Sequence, residues 1–231
     1  MSHGNTGGRV SGRCRLAVPA FVVFGALVAS GCASFAPRPL PRETADGMPY
    51  QTTDPGGIIF GVRLPESAED VQRQFGRDLL GINILPVQVG LLLRKNCTKD
   101  FVVDPRSCML EYEDGTSLTH IDYKLVKERA YFSQWRSLPA WLFLLPGFFS
   151  SSSISAANEK MLQTYREMEL VERITLRNNT SKATEEGHNG VLFFTSDKPI
   201  DLPRLRQGGW IQLTATIEEG GSIPQELKII F

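Results

Sequence analysis

The sequence predicts a mostly-β domain, a β-sandwich of about seven or eight short strands with a helical insert. Three observations lead to this prediction. Short apolar segments alternate with polar residues at a period of two, which is typical of strands that are buried on one face. Turn residues separate these segments at short intervals. A stretch from about 122 to 170 instead has apolar residues three and four apart, which indicates helices. Together with a short helix at about 65–80, the sequence predicts two or three helices in all.

The predicted strands lie on both sides of the insert. They are the segments 57–64, 84–94, 101–103, 107–112, 171–176, 191–195, 210–217 and 226–231. In the segment 210–217, Ile211, Leu213, Ala215 and Ile217 share one face, while polar residues occupy the other. A short helix is predicted from about 65 to 80, because a proline and acidic residues stand in its first turn.

The first 31 residues have the organisation of a signal peptide. A polar start with Arg9, Arg13 and Arg15 precedes an uncharged, mostly apolar run at 16–29. This run of 14 residues is shorter than the span of about 20 residues that a transmembrane helix needs. We therefore interpret residues 1–31 as an export signal.

Small residues stand immediately before a cysteine, in the order Val28-Ala29-Ser30-Gly31-Cys32. This motif resembles the lipobox of bacterial lipoproteins. The resemblance implies cleavage before Cys32, attachment of diacylglycerol to its sulfur and acylation of the new amino group, with palmitate as a typical acyl chain. Alanine rather than aspartate follows the cysteine, which implies sorting to the outer membrane. An ordinary secretory signal, or an N-terminal anchor that happens to contain a cysteine, is the alternative.

Five prolines between residues 33 and 56 predict an extended tether. The expected organisation is a signal peptide at 1–31, a lipidated cysteine with its tether at 32–56, and the sandwich domain at 57–231. At about 3 Å per residue, such a tether holds the domain some tens of ångströms from the membrane. Packing of part of this segment on the domain as an edge, near Tyr50, is the alternative.

Cys97 and Cys108 remain in the mature chain beside the lipidated cysteine, because the fourth cysteine lies in the signal peptide. An exported compartment is oxidising, so the sequence predicts a disulfide between these two residues. The turn signal Asp104-Pro105 would join two short strands and bring the thiols together. Two free thiols are the alternative, and a metal site would need more ligands than the neighbouring sequence supplies.

The insert contains an apolar segment without charge. Residues 137–158 include no Asp, Glu, Lys or Arg, and prolines interrupt any long helix there. Three interpretations remain open: a buried cap on the sandwich, an exposed patch that meets a lipid surface or a partner, and a membrane span. The residues that would make such a membrane or partner contact are Trp141, Leu142, Phe143, Leu144, Phe148 and Phe149.

Several short motifs resemble a group of uncharacterised bacterial lipoproteins. They are Phe-Gly-Arg-Asp-Leu-Leu at 75–80, Pro-Val-Gln-Val at 86–89, Arg-Lys-Asn at 94–96, the small residues of 153–158 and Gly-Val-Leu-Phe-Phe at 190–194. The resemblance covers most of residues 60–231. The strand pattern is also similar to immunoglobulin-like periplasmic modules. This second resemblance implies an immunoglobulin-like sandwich architecture and no particular activity.

Sequence patterns of catalysis and of nucleic-acid binding are missing. The sequence contains no GxSxG elbow, HExxH helix, Walker loop or dinucleotide fingerprint. His120 stands near Ser117 and Asp122, but neighbours along a strand point to opposite faces and do not form a triad. Without the three arginines of the signal, 22 basic residues remain against 25 acidic ones, which argues against nucleic acid as a partner.

These observations predict a non-enzymatic lipoprotein of the cell envelope, a binding or structural module that is anchored in the outer membrane and faces the periplasm. We expect no cofactor, metal or nucleic-acid partner. The expected partners are the membrane, reached through the N-terminal lipid, and an envelope protein or lipid. The alternative is a carrier of lipid or of another hydrophobic ligand, with the insert at 138–157 as a lid over an apolar cavity.

Overall fold

A computed structural model provides the fold. It describes residues 35–38, 40, 43–94, 97, 99–131, 146–170, 173–177, 186–218 and 223–231, with the backbone alone for 146–153 and 186. The chain divides into two compact units. One unit comprises Phe35–Phe132 with Ala157–Phe231, and it contains the strands. The other comprises Met1–Ser34 with Ser133–Ala156, of which the described residues 146–156 form the first part of a helix.

Ten strands and four α-helices occur in the described part of the chain. The strands are β1 (Tyr50–Thr53), β2 (Ile58–Arg63), β3 (Ile84–Leu93), β4 (Phe101–Val103), β5 (Met109–Glu111), β6 (Ser117–Ile121), β7 (Ile174–Leu176), β8 (Glu186–Thr195), β9 (Trp210–Ile217) and β10 (Ile223–Ile230). The α-helices are α1 (Ala68–Phe75), α2 (Tyr123–Ala130), α3 (Pro146–Met168) and α4 (Leu202–Arg206). Three short 3-10 helices lie at Ala45–Gly47, Leu80–Ile82 and Pro105–Ser107. The predicted mostly-β, sandwich-like fold with a helical insert is confirmed.

The paired strands are antiparallel and follow the order β1-β2-β3-β8-β6-β5-β9-β4-β7, with β10 on β9. The short strand β6 pairs with β5 through its first two residues and with β8 through its last three. It therefore connects an inner sheet, β1-β2-β3-β8, to an outer sheet formed by β5, β9, β10, β4 and β7. The alternation predicted for 210–217 is confirmed, because β9 alternates strictly between buried and half-buried residues.

The two sheets enclose one apolar core. Alternate residues of each strand point into it, as expected for strands packed face to face. The inner sheet contributes Ile58, Phe60, Val62, Val87, Val89, Leu91, Leu192 and Phe194. The outer sheet contributes Phe101, Val103, Leu110, Leu213, Ala215, Ile217, Leu227 and Ile229.

The inner sheet is buried on its second face as well. All ten residues of β3 are buried, which explains why its sequence is an almost continuous apolar run. Helices cover this second face: the ring of Phe193 lies 6.1 Å from that of Phe75 on α1 and 5.8 Å from that of Tyr165 on α3. The domain thus has three layers, namely helices, inner sheet and outer sheet.

A strap formed by the described residues between Phe35 and Thr53 completes the cover of this second face. Ala45 and Met48 are 1% and 2% exposed, and β1 pairs with β2. The strap fits because Gly61 and Gly90 are cross-strand neighbours that leave a depression in the sheet. A Cβ at Gly61 would lie 2.3 Å from the carbonyl oxygen of Ala45. Among its described residues, the segment expected to be an extended tether is packed on the domain at Phe35, Ala45, Met48 and β1. The contact with the domain therefore begins before Tyr50, where packing as an edge was the alternative.

Replacing Gly61 with alanine is expected to destabilise the protein, because the new Cβ would overlap the backbone of Ala45. We expect the free energy of unfolding, measured by urea denaturation, to fall by about 1–3 kcal/mol, the usual cost of overpacking. Gly47→Ala is the matched control, since a Cβ there meets nothing nearer than the Thr44 hydroxyl oxygen at 3.8 Å. Equal stability of the two variants would contradict the packing of the strap.

Candidate functional site

The sheet-bearing unit begins at a corner that we call the N-terminal corner, formed by Phe35, Gly76, Arg77, Tyr131 and Tyr165. Phe35 is 5% exposed, and its ring meets the ring of Tyr165 edge-on at 5.9 Å. Gly76 has a φ of +68°, and a Cβ on it would lie 2.9 Å from the Phe35 ring. Glycine is thus required here twice, for the left-handed turn and for the close approach of Phe35.

Helix α1 has clear local signals at both of its ends. The side chain of Ser67 accepts a hydrogen bond from the amide of Asp70 at 3.1 Å, which caps the N-terminus. Gly76 provides the left-handed C-cap. The buried residues of this helix are Val71 and Phe75, and the ring of Phe75 packs against Phe193 of the inner sheet. The same cap that ends the helix therefore creates the space that Phe35 occupies.

Tyr165 joins α3 to α1 beneath the corner. Its side chain is fully buried, and its hydroxyl donates a hydrogen bond to the carbonyl oxygen of Phe75 at 2.9 Å. Burial raises the pKa of the Tyr165 hydroxyl above its usual range, so the group is neutral and acts as a donor. The ring packs against Phe35, Phe75 and Phe193. One tyrosine thus holds the strap, two helices and the inner sheet together.

Arg77 joins the end of α1 to the end of α2. Its Nε donates to the carbonyl oxygen of Ala130 at 3.0 Å, and a terminal nitrogen donates to that of Tyr131 at 3.4 Å. A cation is favourable there because the last carbonyls of a helix lack partners and carry partial negative charge. The Lys127 ammonium lies 5.2 Å from the centre of the Tyr131 ring. Tyr131, the last residue described before the uncharged segment, thus lies at the N-terminal corner.

A polar cleft of about 200 Å³ lies beside the strap, between α1 and the inner sheet. Its floor includes Arg63 and Gln88, which are cross-strand neighbours on β2 and β3. The guanidinium of Arg63 forms an ion pair with Glu43 of the strap. On the wall, the Gln74 amide donates to Asp70 at 3.1 Å. Arg63 thus binds the strap through Glu43, while its Nε is buried without a hydrogen-bond partner among the described residues. Gln74 binds Asp70, and this arrangement suggests no particular ligand.

The base of the insert is closed by Glu169, which follows α3. Its Oε1 accepts a hydrogen bond from the amide of Tyr123, the first residue of α2, at 2.9 Å. The neighbouring Asp122 caps the next two amides of α2. Burial raises the pKa of Glu169 to about 7, and the negative charge of Asp122 adds to this effect. The insert therefore begins and ends at one hydrogen bond, which no motif in the sequence indicates.

The three residues considered for a triad are used in separate contacts. The imidazole of His120 packs edge-on against the Phe194 ring at 5.8 Å, and burial lowers its pKa. The Ser117 hydroxyl donates to the carboxylate of Glu111 at 2.8 Å. Asp122 caps α2. His188 is half-buried on β8, opposite Leu91 of β3.

The predicted disulfide is wrong, because Cys97 and Cys108 are both free thiols. The strands on either side of the Asp104-Pro105 turn do not form a hairpin; β4 and β5 follow one another along the same edge of β9. The start of β4 faces Ile217 and the start of β5 faces Gln212, which are about 16 Å apart along a strand. The turn therefore does not bring the two cysteines together, as a disulfide between them would require.

Both thiols are part of the apolar core. The sulfur of Cys97 donates to the carbonyl oxygen of Gly56 at 2.7 Å. Burial raises the pKa of both Cys97 and Cys108. Since the thiolate is the reactive form, burial disfavours reaction of these thiols, and both side chains contribute to the packing of the core.

The remaining predicted site residues lie outside the described part of the chain. Cys32 is one of them, and Trp141, Leu142, Phe143 and Leu144 are the others. Phe148 and Phe149 belong to α3, for which only the backbone is described at those positions. None of the helices in the described ranges combines the length and the apolar character that a membrane crossing requires. Within the same ranges, no three His, Cys, Asp or Glu side chains converge as metal ligands.

Comparison of the chain with protein-family models, with curated proteins and with solved structures gives no significant match in any of the three. The lipobox and the similarity to bacterial lipoproteins therefore stay predictions that rest on the sequence motifs quoted above.

Glu169→Gln is expected to make the protein more stable at pH 8 while changing it little at pH 5. Because the pKa of Glu169 is about 7 when folded and its ordinary value is 4.5, the unfolded chain releases this proton first. The stability of the native protein therefore falls as the pH rises between these two values. Glutamine keeps an acceptor for the Tyr123 amide and carries no charge. We expect a gain of about 1–2 kcal/mol at pH 8 in urea denaturation.

Glu167→Gln is the matched control, because Glu167 is exposed near the end of α3, two residues before Glu169. The gain in stability at pH 8 is expected for Glu169→Gln alone. A Glu169→Gln protein that is less stable than the native one at pH 8 would show that the ionised carboxylate stabilises the base of the insert.

Proposed function

We propose that the chain is a non-enzymatic lipoprotein of the bacterial cell envelope, anchored through Cys32 in the outer membrane and facing the periplasm. Its β domain acts as a binding or structural module. The coincidence of two boundaries carries this proposal. The lipobox implies that the mature chain begins at Cys32, and the compact unit that contains the strands begins at Phe35. The residues that precede this unit are those whose composition is typical of an export signal and a lipid anchor.

The contacts within the domain fit a structural or binding role. The space between the two sheets is filled by apolar side chains, and in the cleft Arg63 pairs with Glu43 and Gln74 binds Asp70. His120, Ser117 and Asp122 each serve a separate contact. These features support a module that presents a surface, and the absence of enzymatic activity is part of the proposal.

The segment 138–157 is the proposed contact element, and it lies within the helical insert at 122–170. The two ends of the insert are joined by the hydrogen bond between Tyr123 and Glu169, and the end of α2 is bound by Arg77. A fixed base of this kind suits a segment that meets a partner, because it limits the ordering entropy lost on binding. The uncharged sequence from 137 to 158 leaves from this base, and uncharged apolar stretches often mark interaction sites.

The lipid carrier stays the alternative prediction. A carrier requires an apolar cavity of several hundred cubic ångströms. The cleft beside Arg63 has a volume of about 200 Å³ and contains the charged residues Arg63, Glu66 and Asp70. No observation on the described residues favours this alternative over the contact module.

Cys32→Ser is expected to abolish incorporation of labelled palmitate and to leave the uncleaved precursor in the cell. The reason is that the acylated sulfur is the substrate for the cleavage that the lipobox implies. Electrophoresis of labelled cells measures both effects. Cys14→Ser, in the signal itself, is the control and should mature with its label. A processed and unlabelled Cys32→Ser protein would instead indicate an ordinary secretory signal.

Simultaneous replacement of Leu142, Leu144 and Phe148 with serine tests the contact element. If these side chains meet a partner or a lipid surface, photo-crosslinking from position 141 in intact cells should fall several-fold, while the thermal midpoint stays unchanged. Gln163→Ser, an exposed change on α3, is the control. Unfolding of the triple variant would show that the segment is a buried cap and would contradict its role as a contact element.

A further inference from the structure

We infer that the domain is seated directly on the bilayer that holds its anchor, with the N-terminal corner towards the lipid headgroups. This inference rests on the proposed acylation of Cys32. It replaces the expectation of a long tether with a fixed and close attachment. The surface concerned is the N-terminal corner, and its partner is the phospholipid surface of the same leaflet.

The first argument is the length of chain between the anchor and the domain. Three peptide units separate Cys32 from Phe35, so their Cα atoms are at most about 11 Å apart. Acyl chains on Cys32 would hold that residue at the level of the headgroups, since two or more chains anchor a protein stably. The Cα atom of Phe35, whose side chain is buried in the domain, therefore lies within about 11 Å of that level.

The second argument is the firmness with which the strap is held. The Phe35 ring contacts Tyr165 and closely approaches Gly76. Three residues later, the amide of Arg38 donates a hydrogen bond to the carbonyl oxygen of Arg73 on α1 at 3.0 Å. Ala45 is then buried on the inner sheet. The strap is therefore bound to the domain from its first residue, Phe35. It does not act as a flexible spacer that would let the domain move away from the membrane.

The third argument is the chemistry of the exposed side chains at this corner. Arg38 is exposed, the Arg73 side chain is 58% exposed, and Tyr131 is 41% exposed beside Lys127. Basic and tyrosine side chains are typical of protein surfaces at the headgroup level. Among the acids of α1, the turn after it and α2, Asp70 pairs with Arg73 at 3.6 Å and Asp78 accepts from an amide of the following turn at 2.9 Å. Glu69 and Glu128 are exposed.

The test measures the distance of two sides of the domain from the bilayer. The full acylated protein is reconstituted in vesicles of phosphatidylethanolamine and phosphatidylglycerol that carry a quencher on the headgroup. A fluorophore is attached to a cysteine that replaces either Gln72, exposed on α1 one turn before Gly76, or Glu226, exposed on the outer face of β10. Cys97 and Cys108 are buried, so the introduced thiol is the one that reacts.

We expect several-fold stronger quenching at position 72 than at position 226, because the helices and the outer sheet are two interlayer spacings of about 10 Å apart, with the inner sheet between them. A second variant has 20 Gly and Ser residues inserted between Ser34 and Phe35. It leaves every described contact intact and adds a flexible spacer of about 25 Å. The difference between the two positions should then largely disappear.

The seated domain is wrong if position 72 is quenched no more than position 226 in the protein without the insertion, or if the insertion changes nothing. Equal quenching would also be the result if the corner were reserved for a protein partner that the vesicles lack. Mass spectrometry of the reconstituted protein separates this failure from that of the proposed function. With acyl chains present on Cys32, the anchor stands and only the seating fails; without them, the proposed anchor itself is wrong.

Discussion

The structure depends on the burial of the inner sheet on both of its faces. Strand β3 is buried along its whole length, so its second face requires a cover as apolar as the sandwich core on the first. Helices α1 and α3 supply that cover through Phe75 and Tyr165, and the N-terminal strap supplies the rest. Helix α1, the part of α3 around Tyr165 and the strap are therefore integral parts of the domain, because without them apolar residues of β3 and β8 would face water.

This requirement connects the fold to the proposed attachment. A segment that must cover the sheet is not available as a spacer, so the folded unit starts three residues after the predicted lipid. Tyr165 contacts the strap, α1 and the inner sheet at once, and Arg77 binds the end of α2 to the same place. The N-terminal corner thus contains both Phe35, the first residue of the domain, and Tyr131, the last residue described before the uncharged segment.

The sequence predicted those features that depend on local pattern. The apolar run of β3 and the alternation of β9 identify these strands, and the mostly-β class follows from them. Long-range pairing escaped prediction. The Asp104-Pro105 turn has the local signals of a hairpin, yet β9 pairs with both neighbouring strands, and this keeps Cys97 and Cys108 apart. The prolines of the strap indicated an extended tether, so its buried residues were not predicted. The depression at Gly61 and Gly90 depends on the register of β2 and β3, which composition does not reveal. For the same reason the burial of Glu169 had no sequence signal.

Hydrogen exchange at the amide of Arg38 tests the central claim, that the strap is part of the domain, most directly. This amide donates to the carbonyl oxygen of Arg73, and the amide of Val71 in the same helix donates to that of Ser67. We predict that in the acylated protein the Arg38 amide is protected well above the level of an unstructured peptide, as the Val71 amide is. Exchange of Arg38 at the rate of an unstructured chain, with Val71 still protected, would show that the segment is a free tether and would contradict the account.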